Sequence, residues 1–232
     1  HGHLDRVHLH ELGAREGEGD GACELDAQHA LHGQISVITP FTLAGAMAPV
    51  TLAGALAQQN AEFLAGLTLA QCAKPGAPVV YGGFTSNVDM KTGAPAFGTP
   101  EFVRAMQISG QMARFYNIPM RTSNANAANV PDGQAVWESA FSLQGSLSGH
   151  SNLVYHAAGW LEGGLVMSYE KRVIDADRLG MYARMLGGLA TDENGLARSA
   201  YEEVAHAGHF LGSAHTMANY ETAFYESPLS DS

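Results

Sequence analysis

Aromatic rings and small polar side chains gather where this chain is expected to loop. Tyr81, Phe84, Phe97, Tyr155, Trp160 and Tyr169 stand at or near the ends of apolar runs, and an aromatic face attracts a cation through the ring quadrupole. Packing between helix and strand is the ordinary reading for Tyr155 and Tyr169. Trp160 and Tyr81 have glycine neighbours that leave room for a cavity. Asn87, Asp89, Ser123, Asn124 and Asn126 could hold a carboxylate or a water, and such residues equally cap and close turns. Glu162 and Glu170 offer negative charge near a cation, against the plainer reading of carboxylates at helix starts; Glu162 shares its loop with Trp160. Of the eleven histidines, His156 ends an apolar strand, from which it could donate a hydrogen bond to a carboxylate. A core histidine satisfied by its neighbours is the rival reading. His1, His3, His8 and His10 match metal-ligand spacing only loosely, so no zinc is expected.

The elements that must carry these residues alternate. Runs rich in β-branched or aromatic residues at Ile35 to Ile38, Pro78 to Tyr81, Pro119 to Thr122 and Leu153 to His156 read as strands. Each is followed by a helix-length segment: Val50 to Cys72, a helix capped by Thr99 and opened by Pro100, one opened by Pro131 and Asp132, and Ser168 to Leu186. In the last, Tyr169, Val173, Leu179 and Leu186 form the apolar side. Chain segments after the helices are short, whereas those after the strands are long and rich in Gly, Ser, Asn and Thr. That asymmetry is the pattern of an α/β barrel with its site at the carboxyl ends of parallel strands. An open doubly wound sheet is the rival architecture, but no G-x-G-x-x-G or G-x-x-x-x-G-K-[ST] pattern supports a nucleotide fold. The expected fold class is α/β, a TIM (β/α)8-type barrel of which this chain supplies about four βα units plus C-terminal helices. Residues 1–34 read as a His-, Glu- and Gly-rich lead-in, 35–190 as the βα units, and 191–232 as a C-terminal helical segment packing on the barrel.

Composition narrows the function. The chain has 232 residues, 46% hydrophobic and only 15% charged, where soluble domains carry roughly 25%. With 23 acidic against 12 basic residues the formal charge is -11, the wrong sign for nucleic acid or an anionic bilayer. Two cysteines, Cys23 and Cys72, make no disulfide framework, so a reducing cytoplasm is expected. No stretch approaches the ~20 apolar residues of a membrane span. A start at His1 and an end without a polar tail read as part of something longer.

Four segments carry a resemblance: VITPFTLAGAMAPVTLAGALAQQNAE (Val37 to Glu62), PGAPVVYGGFTSNVDMKTGAPAFGTPEF (Pro75 to Phe102), HAAGWLEGGLVMSYEK (His156 to Lys171) and GHFLGSAHT (Gly208 to Thr216). In this order, over essentially Ser36 to Asp231, the chain resembles the trimethylamine methyltransferase family. The resemblance implies the carboxyl-terminal half of a TIM barrel and transfer of a methyl group from an amine to the cobalt of a corrinoid (cobalamin) carried by a separate protein. Some members use pyrrolysine and trimethylamine; others, without pyrrolysine, use glycine betaine and similar quaternary amines. This sequence has no non-standard residue, which favours a quaternary amine, and residues 1–34 do not resemble the family.

Displacement of a neutral amine by cobalt(I) needs no strong general acid; it needs a pocket for a cation, alignment of one methyl and an open top. On that reading His156 and Glu162 are the catalytic candidates, and Tyr81, Phe84, Asn87, Asn124 and Trp160 bind substrate. His209 and His215 line the corrinoid-docking rim or simply pin the last segment. The implied partners are the cognate corrinoid protein and a small quaternary or tertiary amine, with self-association left open. A second reading is a catalytically incomplete barrel fragment, a betaine-binding or scaffold module with two open sheet edges. A lyase is more distant, because Lys74, Lys91 and Lys171 fall in a turn, a loop and a helix.

Overall fold

Short parallel strands and the helices between them organise the protein. The computed structural model describes the backbone of residues 8–12 and residues 27–230. The chain forms two compact units that divide between Asp175 and Ala176.

The first unit is built on one sheet of five parallel strands: β1 (His8–Leu12), β2 (Ser36–Pro40), β4 (Val79–Gly82), β7 (Met120–Ser123) and β8 (Leu153–Tyr155), in that spatial order. Among the described residues the sheet does not close, and β1 and β8 are its edges. β1 lies within the stretch read from sequence as a lead-in. Between the strands run α1 (Leu52–Ala73), α2 (Pro100–Phe115) and α3 (Gly133–Ser148). Smaller pairings of β3 (Leu43–Ala44), β5 (Ser86–Val88) and β6 (Pro95–Ala96) form a three-stranded sheet, and β9 (Trp160–Leu161) pairs with β10 (Val166–Met167). The architecture is mixed α/β, with a parallel sheet and helical crossovers.

Helix starts are as the local chemistry dictates. Thr99 Oγ1 accepts from the Phe102 amide at 3.2 Å with Pro100 opening α2, and Asp132 Oδ1 accepts from the amides of Gln134 and Ala135 at the start of α3. These bonds satisfy amides that the first helical turn leaves unpaired.

Alternation along the strands divides the sheet's two faces. Ile38, Tyr81 and Met120 join Phe63 of α1 and Ala113 of α2 in one core cluster. Arg121, next to Met120, and Gly82, next to Tyr81, therefore lie on the opposite face, in register with each other. The cluster buries a polar network: Gln59 donates to the Tyr81 hydroxyl at 3.2 Å and to Ser109 at 2.9 Å, and Thr85 donates to Gln59 at 2.6 Å. Burial, only partly offset by Gln59's hydrogen bond, pushes the Tyr81 hydroxyl's pKa up.

α1 and α2 bury large apolar residues, Phe63 in one and Phe102 and Met106 in the other, but α3 does not. Trp137 and Phe141 of α3 are each 47% exposed, while Ala135, Ser139, Ser142, Gly145 and Ser146 face inward. Close approach is the reason: a Cβ at Gly145 would lie 2.4 Å from Met106 of α2, and one at Gly110 of α2 would lie 2.0 Å from the Gly149 carbonyl oxygen. α4 (Tyr169–Leu186) is similar. Its expected apolar side carries exposed Tyr169, Val173 and Leu186, and the residues it buries are Lys171 and Asp175.

In the second unit, α5 (Arg198–Glu203) precedes α6 (Ala214–Ala223), whose Ser213 cap accepts from the Thr216 amide at 3.2 Å. Asp177 accepts from Tyr225 at 2.7 Å and Ser227 at 2.6 Å, and Arg184 donates to the carbonyls of Thr222 and Ala223. Among the described residues no helix is long and apolar enough to cross a membrane.

The close crossing of α2 and α3 gives a stability test. Gly110→Ala forces backbone apart and should cost about 2 kcal/mol or more, read as a lower urea midpoint at unchanged slope. Gly133→Ala, where an added Cβ meets nothing within 4 Å, should leave the midpoint unchanged or raise it.

Candidate functional site

The site grows from the sheet face opposite α1 and α2, at the carboxyl ends of β7 and β8. There Arg121 has no exposed side-chain surface. Its guanidinium carbon sits 4.5 Å from the Tyr155 ring centroid and 5.2 Å from that of Phe84, within cation–π range. Ser123, two residues on, shares this face and is in register with Tyr155.

Immediately after β8 the chain turns at His156, whose φ of 55° is left-handed, a conformation that non-glycine residues adopt rarely. The turn sets its imidazole Nδ1 3.3 Å from Ser123 Oγ and its ring centroid 4.0 Å from that of Trp160. Phe84 lies 6.3 Å from the same imidazole. Behind these rings stand Phe97, Phe102, Met106 and Ala125, buried with Phe84, and Phe41 and Trp160 pack against them.

Two asparagines hold the loops. Asn124 donates from Nδ2 to the Ala157 carbonyl at 3.0 Å, and its amide bonds the Tyr155 carbonyl at 2.9 Å. Its buried Oδ1 has no hydrogen-bond partner among the described residues. The Asn126 carbonyl accepts from Trp160 Nε1 at 3.2 Å and from the Gly163 amide at 2.9 Å. The loop backbone between Asn126 and Ala128 is fixed in turn by Glu138 of α3, whose Oε2 accepts from the amides of Ala127 and Ala128.

Electrostatics fix the state of the histidine. Burial first, and the Arg121 charge second, push the His156 imidazole down to about 4. The ring is neutral at neutral pH and keeps one N–H to give and one lone pair to offer.

Of the residues singled out from sequence, the fold brings His156, Trp160, Phe84 and Asn124 together. Glu162 follows Trp160 by two residues; it is half-buried, has φ 50°, and its amide bonds the Ala128 carbonyl at 2.9 Å. Tyr81 stands in the core against α1, with its ring 4.2 Å from Phe63. Asn87, on β5, accepts from Thr99 Oγ1 at 3.0 Å and so supports the cap of α2. His215 bonds the Asn194 carbonyl at 2.8 Å and His209 is exposed, both in the second unit. Among the described residues no group of three or more His, Cys, Asp or Glu could hold a metal ion; His1 and His3 lie outside the described residues. Arg121 escaped the sequence reading. Its signal was a lone charge inside a short buried strand, at the alternate position from Met120.

A family model described as trimethylamine methyltransferase matches residues 21–232. The chain is 40% identical over 204 residues to a glycine betaine methyltransferase of Desulfitobacterium hafniense, an alignment covering 88% of this chain and 43% of that protein. It is 35% identical over 203 residues to a trimethylamine methyltransferase of Methanosarcina mazei, covering 86% and 41%, and 33% identical over 183 residues to one of Desulfitobacterium hafniense, covering 78% and 36%. The chain thus spans less than half the length of these curated relatives.

The histidine yields a pH test. Its pKa is lower in the fold than the ordinary 6.5, so between pH 6.5 and about 4 the unfolded chain takes up a proton that the fold refuses. Stability is fully present above that window and falls on acidification through it. The His156 ring signals should titrate near pH 4 by NMR. Arg121→Met should move that titration upward yet leave it below 6.5, because burial is the larger cause. His156→Asn, a residue that tolerates left-handed φ, should flatten the acid limb of a urea-melt series.

Proposed function

The chain belongs to the trimethylamine methyltransferase family, and from that premise we propose that it serves in moving a methyl group from a betaine-type quaternary amine to the cobalt of a corrinoid protein. The observation that carries the substrate class is the pairing of a buried guanidinium, Arg121, with a wall of rings from Phe84, Trp160 and His156. Rings attract a trimethylammonium group. A fixed positive charge beside them repels a bare cation and attracts a carboxylate, so the pair suits a zwitterion carrying both. A tertiary amine such as trimethylamine lacks the carboxylate and gains nothing from Arg121.

Each proposed role follows from placement. With Ser123 donating to Nδ1, the neutral His156 keeps its proton on Nε2 and donates it to a carboxylate oxygen. Asn124 Oδ1, an acceptor left over, faces the polarised methyl groups of the ammonium. Glu162 supplies negative charge near the cation. Tyr81, in this reading, supports the site from the core, and Asn87 supports it through Thr99. No proton need be delivered to the departing amine, which leaves neutral, so the residues' work is binding, orientation and exclusion of water.

A corrinoid on its carrier supplies a low-valent cobalt nucleophile when bound. The fit of this chain to it rests on the exposed Met47, Val50 and Met90 on the loops beyond β2 and β5, an apolar rim suited to a flat macrocycle. His209 and His215 remain the proposed docking groups. The strand order supports the barrel reading for residues 35–190: each parallel strand adds beside its predecessor, without the reversal that marks a doubly wound sheet. Residues 191–232 are the proposed C-terminal helical segment, and 1–34 the lead-in.

Mixing the full chain with glycine betaine, reduced cobalamin and a corrinoid carrier should give methylcobalamin absorbance, with trimethylamine a poorer donor. Failure with every quaternary and tertiary amine would sink the enzyme reading; betaine binding without transfer would instead support a binding module. Trp160→Leu should cost about 1 to 2 kcal/mol of betaine affinity, on the order of tenfold in Kd, read by calorimetry.

A further inference from the structure

Lys171 and Asp175 lie one turn apart on α4, both with no exposed side-chain surface. Lys171 Nζ is 2.7 Å from Asp175 Oδ1 and 2.5 Å from Oδ2, and it donates to Ser139 Oγ at 2.7 Å. An apolar pair of similar volume would hold such a position about as well, so the contacts that the ions make beyond each other are the informative part. Two routes leave this pair, and both end on one residue.

The first runs through the carboxylate. Asp175 Oδ2 accepts from the Gly159 amide at 2.9 Å. Gly159 has φ 90° and immediately precedes Trp160, and a Cβ there would lie 3.1 Å from Met167 and 3.3 Å from the Ser168 carbonyl. The carboxylate therefore fixes the backbone entering Trp160. The second runs through the ammonium. Ser139, bonded to Lys171, donates to Asn126 Oδ1 at 3.2 Å, and Asn126 Nδ2 lies 3.1 Å from the same hydroxyl. Asn126's carbonyl then holds the indole N–H of Trp160 at 3.2 Å.

We propose that the buried Lys171–Asp175 pair is the positioning group for Trp160, fixing its backbone and its indole together so that the ring stands against His156 as one wall of the substrate site. Its meaning for substrate rests on the betaine reading above. The pair acts through Gly159 and, by way of Ser139, through Asn126. The consequence is a division of labour: this pair governs the cation half of a zwitterion, and Arg121 with His156 governs the anion half.

The two halves can be tested apart. The chain has two tryptophans, and Trp137 is half-exposed on α3, so in a Trp137→Phe background emission reports Trp160. Lys171→Met should shift that emission to longer wavelength. It should weaken tetramethylammonium, followed by the His156 ring signals, by roughly tenfold (the factor given by 1.4 kcal/mol), and leave acetate within about a factor of two. Unmoved emission, or equal weakening of both ions, overturns the proposal. Where Lys171→Met does not fold by far-UV circular dichroism, Lys171→Met with Asp175→Leu removes both charges, and the same criteria apply. Failure of both variants to fold makes the pair a structural strut and overturns the proposal too. Should the unmodified chain bind neither ion, the betaine reading falls, while the emission comparison still decides whether the pair positions Trp160.

Discussion

A charge carried inside a protein must find its partners there, and most of the order around this site follows from that constraint. Lys171 and Asp175 lose all exposed surface, and Glu138 nearly all. Water cannot serve them, so backbone amides and small hydroxyls do. Glu138 spends one oxygen on the amides of Ala127 and Ala128, and Asp175 spends one on Gly159. These are the loops that follow β7 and β8, and loops of that kind have no ladder of their own to fix them. The buried carboxylates do for the loops what neighbouring strands do for the sheet.

This arrangement explains why the faces of α3 and α4 run against simple amphipathic expectation. Where α3 meets α2, backbone lies within contact of backbone, as Gly110 against Gly149 shows. Leu- or Phe-sized residues do not fit there. Serines and glycines do, and a serine hydroxyl bonds the neighbouring main chain: Ser142 donates to the Ala125 carbonyl at 2.8 Å. The large rings Trp137 and Phe141 are left on the outer side, stacked edge to face. α4 follows the same logic, with an ion pair inward and Tyr169 and Val173 outward.

Local signals were legible in the sequence and non-local ones were not. Thr99 with Pro100, and Asp132 before α3, marked helix starts because a cap is a matter of adjacent residues. The strand runs came within two residues of β2, β4, β7 and β8, since β-branched clusters between turn residues need no tertiary knowledge. Which face a residue takes is different. Tyr81 and Arg121 sit on opposite faces of neighbouring strands, and a shift of one residue in register exchanges such faces; sequence alone left Tyr81 as a cavity residue and passed over Arg121. Lys171 was weighed as a catalytic lysine and set aside because it falls in a helix. Its burial depends on Asp175 four residues on and on Ser139 from another helix, and no window along the chain joins the three. β1 went unread for a related reason: its HLHEL pattern is polar, and only pairing with β2 makes it a strand.

The neutral state of His156 bears on how a zwitterion would be told from a cation. A protonated imidazole beside Arg121 would put two positive charges against the ring of Trp160, and a trimethylammonium group would add a third. Burial and Arg121 both act against that protonation, so the imidazole adds no second positive charge beside Arg121. On the betaine proposal, the aromatic wall would then have its quadrupole free for the ligand's cation, while the imidazole would keep a proton for the ligand's anion. On that proposal the two recognition elements would stay separate along the ring wall only while the histidine is uncharged, and the left-handed turn at residue 156 sets the imidazole beside Ser123 and Trp160.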